Sequence, residues 1–499
     1  MSRQRRQRSL FVLLVVLALA FVRPAGAEAA PPQVAATVQP ASFAELSVYH
    51  IMIGYFRNGF TGNDDRVEGW KHPNWAGGDL QGVLEKVDYL ADLGVNAVWL
   101  SPIFKARTSH GYDVQNYYAF GNQYAVPDDS AASLALFRQL VAALHAKGIQ
   151  VILDLPLNHA SKSYDRELGD PRHFGPRFGP ARQEAEKLWE SWGSGFGYWN
   201  IGNEATRKFL IDVALHYVVD EGVDGLRLDY VRGLGHEFWA ELYAAVKAKK
   251  PEAWLLGECW IDQQGAEANA AEIATYYAPV KGQNQFDSLV DFPMQILATE
   301  VFAKGGSLVL IEDWLKKYPV LYGKEARPAF FLDNHDLSRF LAWTDQPKRL
   351  VAALTFLASL SEPMMIFYGS ETGLANGSPK PGFDDAGRIQ IPWDKLDQSL
   401  LKEVQQLLNV RRAHKSLTQG ERLPLLAEKE VLVFAKKKDQ ELALVGVNLG
   451  SSPRQIELEA ALLGEANPAA LLGPAPTRQG NKILWELPAL STSISVAPP

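Results

Sequence analysis

Four short segments of the chain each set a charged residue just past the end of an apolar run: DLPLNH at 154–159, GLRLD at 225–229, LLGEC at 255–259 and FLDNHD at 331–336. In a barrel of alternating strands and helices, the C-terminal ends of the strands meet at one mouth, so carboxylates far apart in sequence converge there. Two carboxyl groups facing one bond suit glycoside cleavage: one attacks or stabilises the sugar while the other gives and then takes a proton. Asp229, Glu258 and Asp336 are the acids so placed.

The elements that would hold these acids follow from hydrophobic pattern. Short apolar runs at 47–56, 96–103, 149–155, 223–229, 253–258, 286–291, 328–332 and 363–368 read as eight strands. Amphipathic stretches at 79–93, 130–147, 204–221 and 346–360 read as helices between them. An eight-stranded parallel (β/α)8 barrel is the economical α/β reading. One connection breaks the rhythm: from His159 to about Asn203 the chain is rich in Gly, Pro and Arg, far longer than a simple crossover needs. After a helix near 398–415 the period changes to two, in VLVFAKK, LALVGVNL and QIELEA, which makes 420–499 a separate antiparallel β domain. The barrel is thus expected over 43–158 and 204–419, with an inserted domain at 159–203.

Taken in order, the four segments, together with SHGYDVQNYY at 109–118, resemble the signature regions of the α-amylase family, glycoside hydrolase family 13, from about Ser47 to Asp394. The resemblance implies a TIM barrel with a domain B after the third strand and a C-terminal β domain. It implies Asp229 as nucleophile, Glu258 as acid/base and Asp336 as the third acid, which stabilises the charged transition state. Arg227, on the same strand face as Asp229, is expected to favour the ionised nucleophile, and the apolar run before Glu258 to favour its protonated form. His159 and His335 match positions that hydrogen-bond the reactive sugar. Tyr112 matches the aromatic that stacks on that sugar, and Asp113 the acid that orients the pocket. Trp260 would line a leaving-group subsite, and Arg388 matches an arginine at the far edge of some family pockets.

Departures accompany the matches. Where the family often follows its nucleophile with Lys-His, this chain has Arg232-Gly233, so Arg232 keeps the charge and no imidazole is present. The segment before the fourth strand reads Tyr198-Trp199-Asn200-Ile201 rather than Pro-Asp-Leu-Asn. RNGFTGNDD at 57–65 and GGD at 77–79 resemble a calcium loop found in some members, which implies a Ca2+ ion held by Asn58, Asn63, Asp64, the Gly77 carbonyl and Asp79. Phe60 stands where the pattern often has a polar ligand; the other reading is an Asn/Gly/Asp turn cluster. A second metal position would use Asn158 with Asp165 or Asp170.

The address comes from the first residues. Arg3, Arg5, Arg6 and Arg8 precede the apolar run Leu10–Val22 and then Ala25-Gly26-Ala27, the form of a secretory signal peptide over 1–27, followed by a flexible lead-in at 28–42. The run is shorter than the ~20 apolar residues of a spanning helix. Its removal takes away five arginines and no acid, moving the formal charge from −7 to −12. So acidic a chain, without a basic patch, argues against nucleic acid as partner. A single cysteine, Cys259, allows no internal disulfide. The expectation is an exported retaining hydrolase, free of the membrane after signal cleavage, acting on α-1,4-linked glucans or maltooligosaccharides. The same acids would serve an α-glucan transferase or isomerase. An inactive carbohydrate-binding member would have lost an acid, and all three stand here.

Overall fold

The computed structural model describes residues 42–161, 164, 196–463 and 467–497. The signal segment, the lead-in up to residue 41 and most of the stretch 159–203, including Asp165 and Asp170, lie outside the described residues.

Eight strands form one sheet: β1 (Ser47–Ile51), β2 (Ala97–Leu100), β3 (Gln150–Leu155), β4 (Gly225–Leu228), β5 (Trp254–Gly257), β6 (Ser288–Leu289), β7 (Phe330–Phe331) and β8 (Met364–Phe367). Every neighbouring pair is parallel, in the order β6-β5-β4-β3-β2-β1-β8-β7. A parallel bridge between Val290 and Ala329 joins the two outer strands and closes the barrel. Each of the eight sits at an expected run but is shorter than the run itself. All their residues are buried, which is why they read as mostly apolar stretches rather than alternating ones, with Asp154 and Arg227 as charged exceptions.

Alternation persists within that burial. Val48, Trp99, Ile152, Leu256, Phe331 and Met365 fill the barrel interior as one cluster, while Tyr49, Val98, Leu153, Leu226 and Leu255 point outward into the layer shared with the helices. β1 stops at Ile51 instead of running to 56, because the Tyr55 N–H turns back to the Met52 carbonyl and starts a helical turn over Ile53–Phe56. Gly54 in that turn faces the Trp75 ring so closely that a Cβ there would lie 2.0 Å from it.

The helices keep their expected places with one break. The stretch 79–93 splits into Leu80–Leu84 and Val87–Leu93 at Lys86, and Gly94 (φ 93°) ends the second piece in a left-handed cap. Asp79, Asp129, Asn203 and Asp291 start helices by accepting backbone N–H groups with their side chains. The helix expected over 204–221 is α-helical at Glu204–Leu215 and finishes as a π-turn over His216–Asp220. Among the described residues, no helix is long and apolar enough to cross a membrane.

Beyond the barrel, Glu421–Ala427, Val431–Lys438, Glu441–Asn448, Ser491–Ala497 and Ala469–Leu472 form one antiparallel sheet, and Arg454–Glu459, Lys482–Leu487 and Thr477–Gln479 a second. Val433, Leu444, Ile456, Ile483 and Trp485 pack between them. Gly446 permits that approach, since a Cβ there would meet Leu487 and Trp485 at 2.9 Å. Arg411 fastens the last barrel helix: its guanidinium donates to the carbonyls of Ala44, Ala358, Leu360 and Glu362 at 2.7–2.9 Å.

Candidate active site

The register of the sheet decides which side chains meet at the mouth. Asp154 of β3 pairs with Arg227 of β4, and Arg227 with Leu256 of β5, so Asp229 and Glu258 emerge side by side past their strand ends. A cavity of about 970 Å3 opens there. Asp229, Glu258, Asp336, Tyr112, Asp113, His159, Arg232, Trp260, His335 and Arg388 all line it; Arg227 lies beneath, with no exposed surface. The structure therefore brings together every expected catalytic and substrate-contact residue.

Arg227 is the electrostatic centre. Its Nη1 donates to both Asp154 oxygens at 2.9 and 3.0 Å and to Asp229 Oδ1 at 2.8 Å, and its Nη2 lies 2.5 Å from Glu258 Oε1. One guanidinium thus faces three carboxyl groups. Burial pushes the Asp229, Glu258 and Asp154 carboxyls above their ordinary range, and the Arg227 charge opposes that rise in each. With one cation among three acids, full ionisation of all three is disfavoured. For Glu258 the expected apolar setting and neighbouring anions act in the expected direction, burial first and the charge of Asp336 after it, while the arginine it shares with Asp229 opposes them.

Asp154 is a residue that motif matching passed over. It lies at the start of DLPLNH, and its Oδ2 accepts from Trp99 Nε1 at 3.0 Å and from the Tyr112 hydroxyl at 2.9 Å. The signal that could have found it is its own register: an acid on β3 opposite an arginine on β4.

Asp336 has a separate cation. Arg388 Nη2 donates to Asp336 Oδ1 at 2.8 Å and its Nε to the His335 carbonyl at 2.7 Å, so this arginine grips the third acid directly rather than standing at a far edge. Burial raises the Asp336 carboxyl and Arg388 chiefly opposes it. His335 stacks parallel to Tyr112, with ring centres 5.4 Å apart. Its Nε2 lies 2.8 Å from the Tyr112 hydroxyl, and burial among positive neighbours holds the imidazole neutral. His159 Nε2 lies 3.1 Å from the Tyr112 carbonyl.

Asp113 accepts the backbone N–H groups of Arg107 and Thr108 at 3.2 and 3.3 Å, which shapes its own loop. Arg232 is committed to Glu272 at 3.1 Å, and Trp260 stacks on Phe292 with ring centres 5.0 Å apart. Position 233 is glycine for a steric reason: a Cβ there would fall 1.7 Å from Asn158 Oδ1.

Of the expected calcium residues, Asn58 and Asp64 meet at Gly77, where Asn58 Nδ2 donates to Asp64 Oδ1 at 2.7 Å. A Cβ on that glycine (φ 69°) would lie 2.5 Å from Asp64 Oδ1 and 2.6 Å from Asn58 Nδ2. The side-chain oxygens of Asn58 and Asn63 are buried without a hydrogen-bond partner, as oxygens meant for a cation would be. The Asp79 carboxylate instead accepts from the Gly59, Phe60 and Gly82 N–H groups, and Phe60 is exposed. The donor set, all hard oxygens, fits Ca2+ through Asn58, Asn63, Asp64 and Gly77 more readily than through Asp79.

A closed parallel barrel with acids from β4, β5 and β7 at its C-terminal mouth defines a barrel enzyme class whose sites are built on strand ends. The sequence model described as Alpha amylase, catalytic domain matches residues 38–173 and 197–419, and the chain belongs to the α-amylase family. It is similar to a cyclomaltodextrinase of Geobacillus thermopakistaniensis, 29% identical over 401 residues, which cover 77% of this chain and 64% of that relative. The chain thus spans just under two thirds of that protein's length. It is also 29% identical to neopullulanase 2 of Thermoactinomyces vulgaris over 433 residues, 82% of this chain and 69% of the other. Among solved structures, an Anoxybacillus α-amylase superposes with a TM-score of 0.80 at 26% identity, covering 92% of this chain and 99% of its own.

Proposed function

We propose that the chain is an exported retaining hydrolase that cleaves α-1,4-glucosidic bonds of starch-type glucans or maltooligosaccharides by double displacement. The observation that carries this reading is the bridging of Asp229 and Glu258 by Arg227, with Asp336 held apart by Arg388 on the same cavity. Asp229 takes the nucleophile's part from its place in GLRLD, and its 2.8 Å contact with Arg227 opposes the rise that burial gives its carboxyl. Glu258 carries the proton first, gives it to the leaving oxygen, then takes one from the incoming water. Asp336, with His335 and His159, holds sugar hydroxyls as positive charge grows on the ring. Tyr112 supplies an aromatic face and Arg232 with Trp260 borders the leaving group.

The names of the relatives, a cyclomaltodextrinase and a neopullulanase, support a maltodextrin-type substrate. Ca2+ held by Asn58, Asn63, Asp64 and Gly77 would tie the loop after β1 and takes no part in the chemistry. Export rests on the arginine-rich apolar segment 1–27. Following the anomeric form of freshly released sugar from maltooligosaccharides by NMR tests the mechanism. The α-anomer supports retention, the β-anomer overturns it, and products longer than the substrate mark a transferase.

A further inference from the structure

Two loops from strands that are not neighbours meet at the mouth of the barrel. Round the sheet, β6 and β7 stand between β5 and β8. No described residue between Gln264 and His335 lines the cavity, so the loop after β6 adds nothing to it. The lining on that side comes from residues 260–264, which follow Glu258, from His335 and Asp336 past β7, and from Phe383, Asp385 and Arg388 in the loop after β8. The outer two of these loops join directly: the Phe383 N–H donates to Asp262 Oδ1 at 3.0 Å.

Each side of this joint is anchored. The fully buried Asn269 accepts the Ile261 N–H at 2.8 Å and donates its amide to the carbonyls of Ile261, Gln264 and Gly265 at 3.2–3.3 Å, which shapes the turn after Glu258. Gln263 in that turn has φ 58°, a left-handed backbone that persists only where its surroundings hold it. On the other side, the Asp384 N–H donates to the Asp336 carbonyl at 2.7 Å, and Arg388 reaches both the His335 carbonyl and Asp336 Oδ1. The joint itself is close: a Cβ on Gly382 (φ 77°) would lie 2.4 Å from Asp262 Oδ1 and 2.9 Å from Gln263 Cγ. One hydrogen bond from Asp262 therefore links the loop of the proton donor to the segment that grips the third acid.

We propose that Asp262 is a positioning residue for the departure of the leaving sugar: through Phe383 it ties the loop that begins at Glu258 to the segment that holds Asp336, and so sets the proton donor and the surface beside it against the third acid. This rests on the glucan-hydrolase reading above. β5 ends at Gly257, and residues 259–265 lie between it and the helix Ala266–Tyr277, so their placement over the cavity depends on bonds such as those of Asn269 and Asp262. The sugar whose oxygen takes the proton from Glu258 lies next to the residues that follow it. Proton transfer needs donor and oxygen in hydrogen-bond reach, and a misplacement of about 1 Å costs on the order of 10²-fold in rate.

The test compares kcat/KM on maltopentaose, whose leaving sugar needs a proton, with kcat/KM on α-maltosyl fluoride, whose fluoride leaves as an anion. Asp262→Ala should lower the maltopentaose-to-fluoride ratio by roughly tenfold or more, the size of loss expected from a displaced catalytic group. Asp262→Asn keeps an oxygen for the Phe383 N–H and should keep the wild-type ratio. Gly382→Ala should lower the ratio as Asp262→Ala does, because its Cβ pushes Asp262 out of the joint. The ratio is independent of how much of a variant preparation is folded, so a general loss of structure leaves it unmoved. A ratio unmoved in Asp262→Ala, or lowered as far in Asp262→Asn, would overturn the positioning role while leaving the hydrolase reading intact. No turnover of either substrate by the wild type would overturn the hydrolase reading and the positioning role with it.

Discussion

The backbone N–H of Tyr230 donates to Glu258 Oε2 at 3.0 Å, from a residue held in the left-handed region at φ 42°. Such a conformation in a bulky residue costs about 1–2 kcal/mol and persists only where its surroundings hold it. Here the turn directly after Asp229 is bound to the turn after β5, where the Val231 N–H also donates to the Glu258 carbonyl at 3.0 Å. The two acids proposed to share the reaction are thereby positioned by each other's loops.

Replacing Glu258 by Gln should lower glucan cleavage by ~10²–10⁴-fold, the usual contribution of a general acid. Gln keeps one acceptor for Tyr230 but presents an amide donor where two donors converge, so a modest drop in melting temperature accompanies the loss. Substrates with activated aryl leaving groups need no proton and should recover the first step. A Glu258→Gln variant that degrades maltooligosaccharides at the wild-type rate would remove Glu258 from the acid/base role.

Asp229 should be trapped covalently. Incubation with a 5-fluoro-α-glucosyl fluoride should stop turnover, and peptide mapping should place the label on Asp229, because a retaining enzyme passes through a glycosyl ester. Label on Asp154 instead would show that the wrong partner of Arg227 had been taken as nucleophile.

How far the site was legible in the sequence depends on how each residue is held. Asp229, Glu258 and Asp336 could be read because GLRLD, LLGEC and FLDNHD resemble segments of the α-amylase family, and strand ends meet at one place in a closed parallel barrel. The Asp154–Arg227 pairing needed the register between β3 and β4, which apolar runs do not encode. The grip of Arg388 on Asp336 depends on a loop path set by scattered bonds, such as the Lys380 N–H to Ser338 Oγ at 3.1 Å, and no periodicity reports those. Likewise, the break at Lys86 in a stretch with unbroken helical spacing is a tertiary outcome that local pattern does not show.

Asp291 predicts a pH dependence of stability. It caps the helix Phe292–Ala298 by accepting the Met294 N–H at 2.6 Å, and burial pushes its carboxyl from 3.8 up to about 7. The folded chain therefore binds this proton more tightly than the unfolded chain does. The stabilisation it contributes is fully present below pH 3.8 and is lost as pH rises through about 7. Asp291→Asn keeps the capping oxygen and carries no charge. Its melting temperature should match the wild type near pH 4 and exceed it near pH 8, by an amount on the order of a few kcal/mol in stability. Parallel melting curves for the two proteins across that range would show that Asp291 is not protonated in the folded state.

Calcium should act on the fold more than on the chemistry. If Asn58, Asn63, Asp64 and Gly77 hold the ion, it binds the folded chain alone and raises the melting temperature with its logarithmic concentration, about 2.7 kcal/mol at a hundredfold excess over the dissociation constant. The unpaired buried oxygens of Asn58 and Asn63 are the groups the ion would satisfy, so replacing both by Ala should abolish the calcium response. Asp64→Asn should weaken it, having removed the formal charge of the cradle beside Gly77. Chelator should lower thermal stability before it lowers initial rate at low temperature, because these residues lie in the loop after β1 and the acids lie past β4, β5 and β7. Melting curves unchanged in excess chelator, together with no calcium by elemental analysis of protein purified without chelator, would leave the segment as a turn cluster held by the Asp79 cap and the Asn58–Asp64 and Asn63–Ala125 bonds.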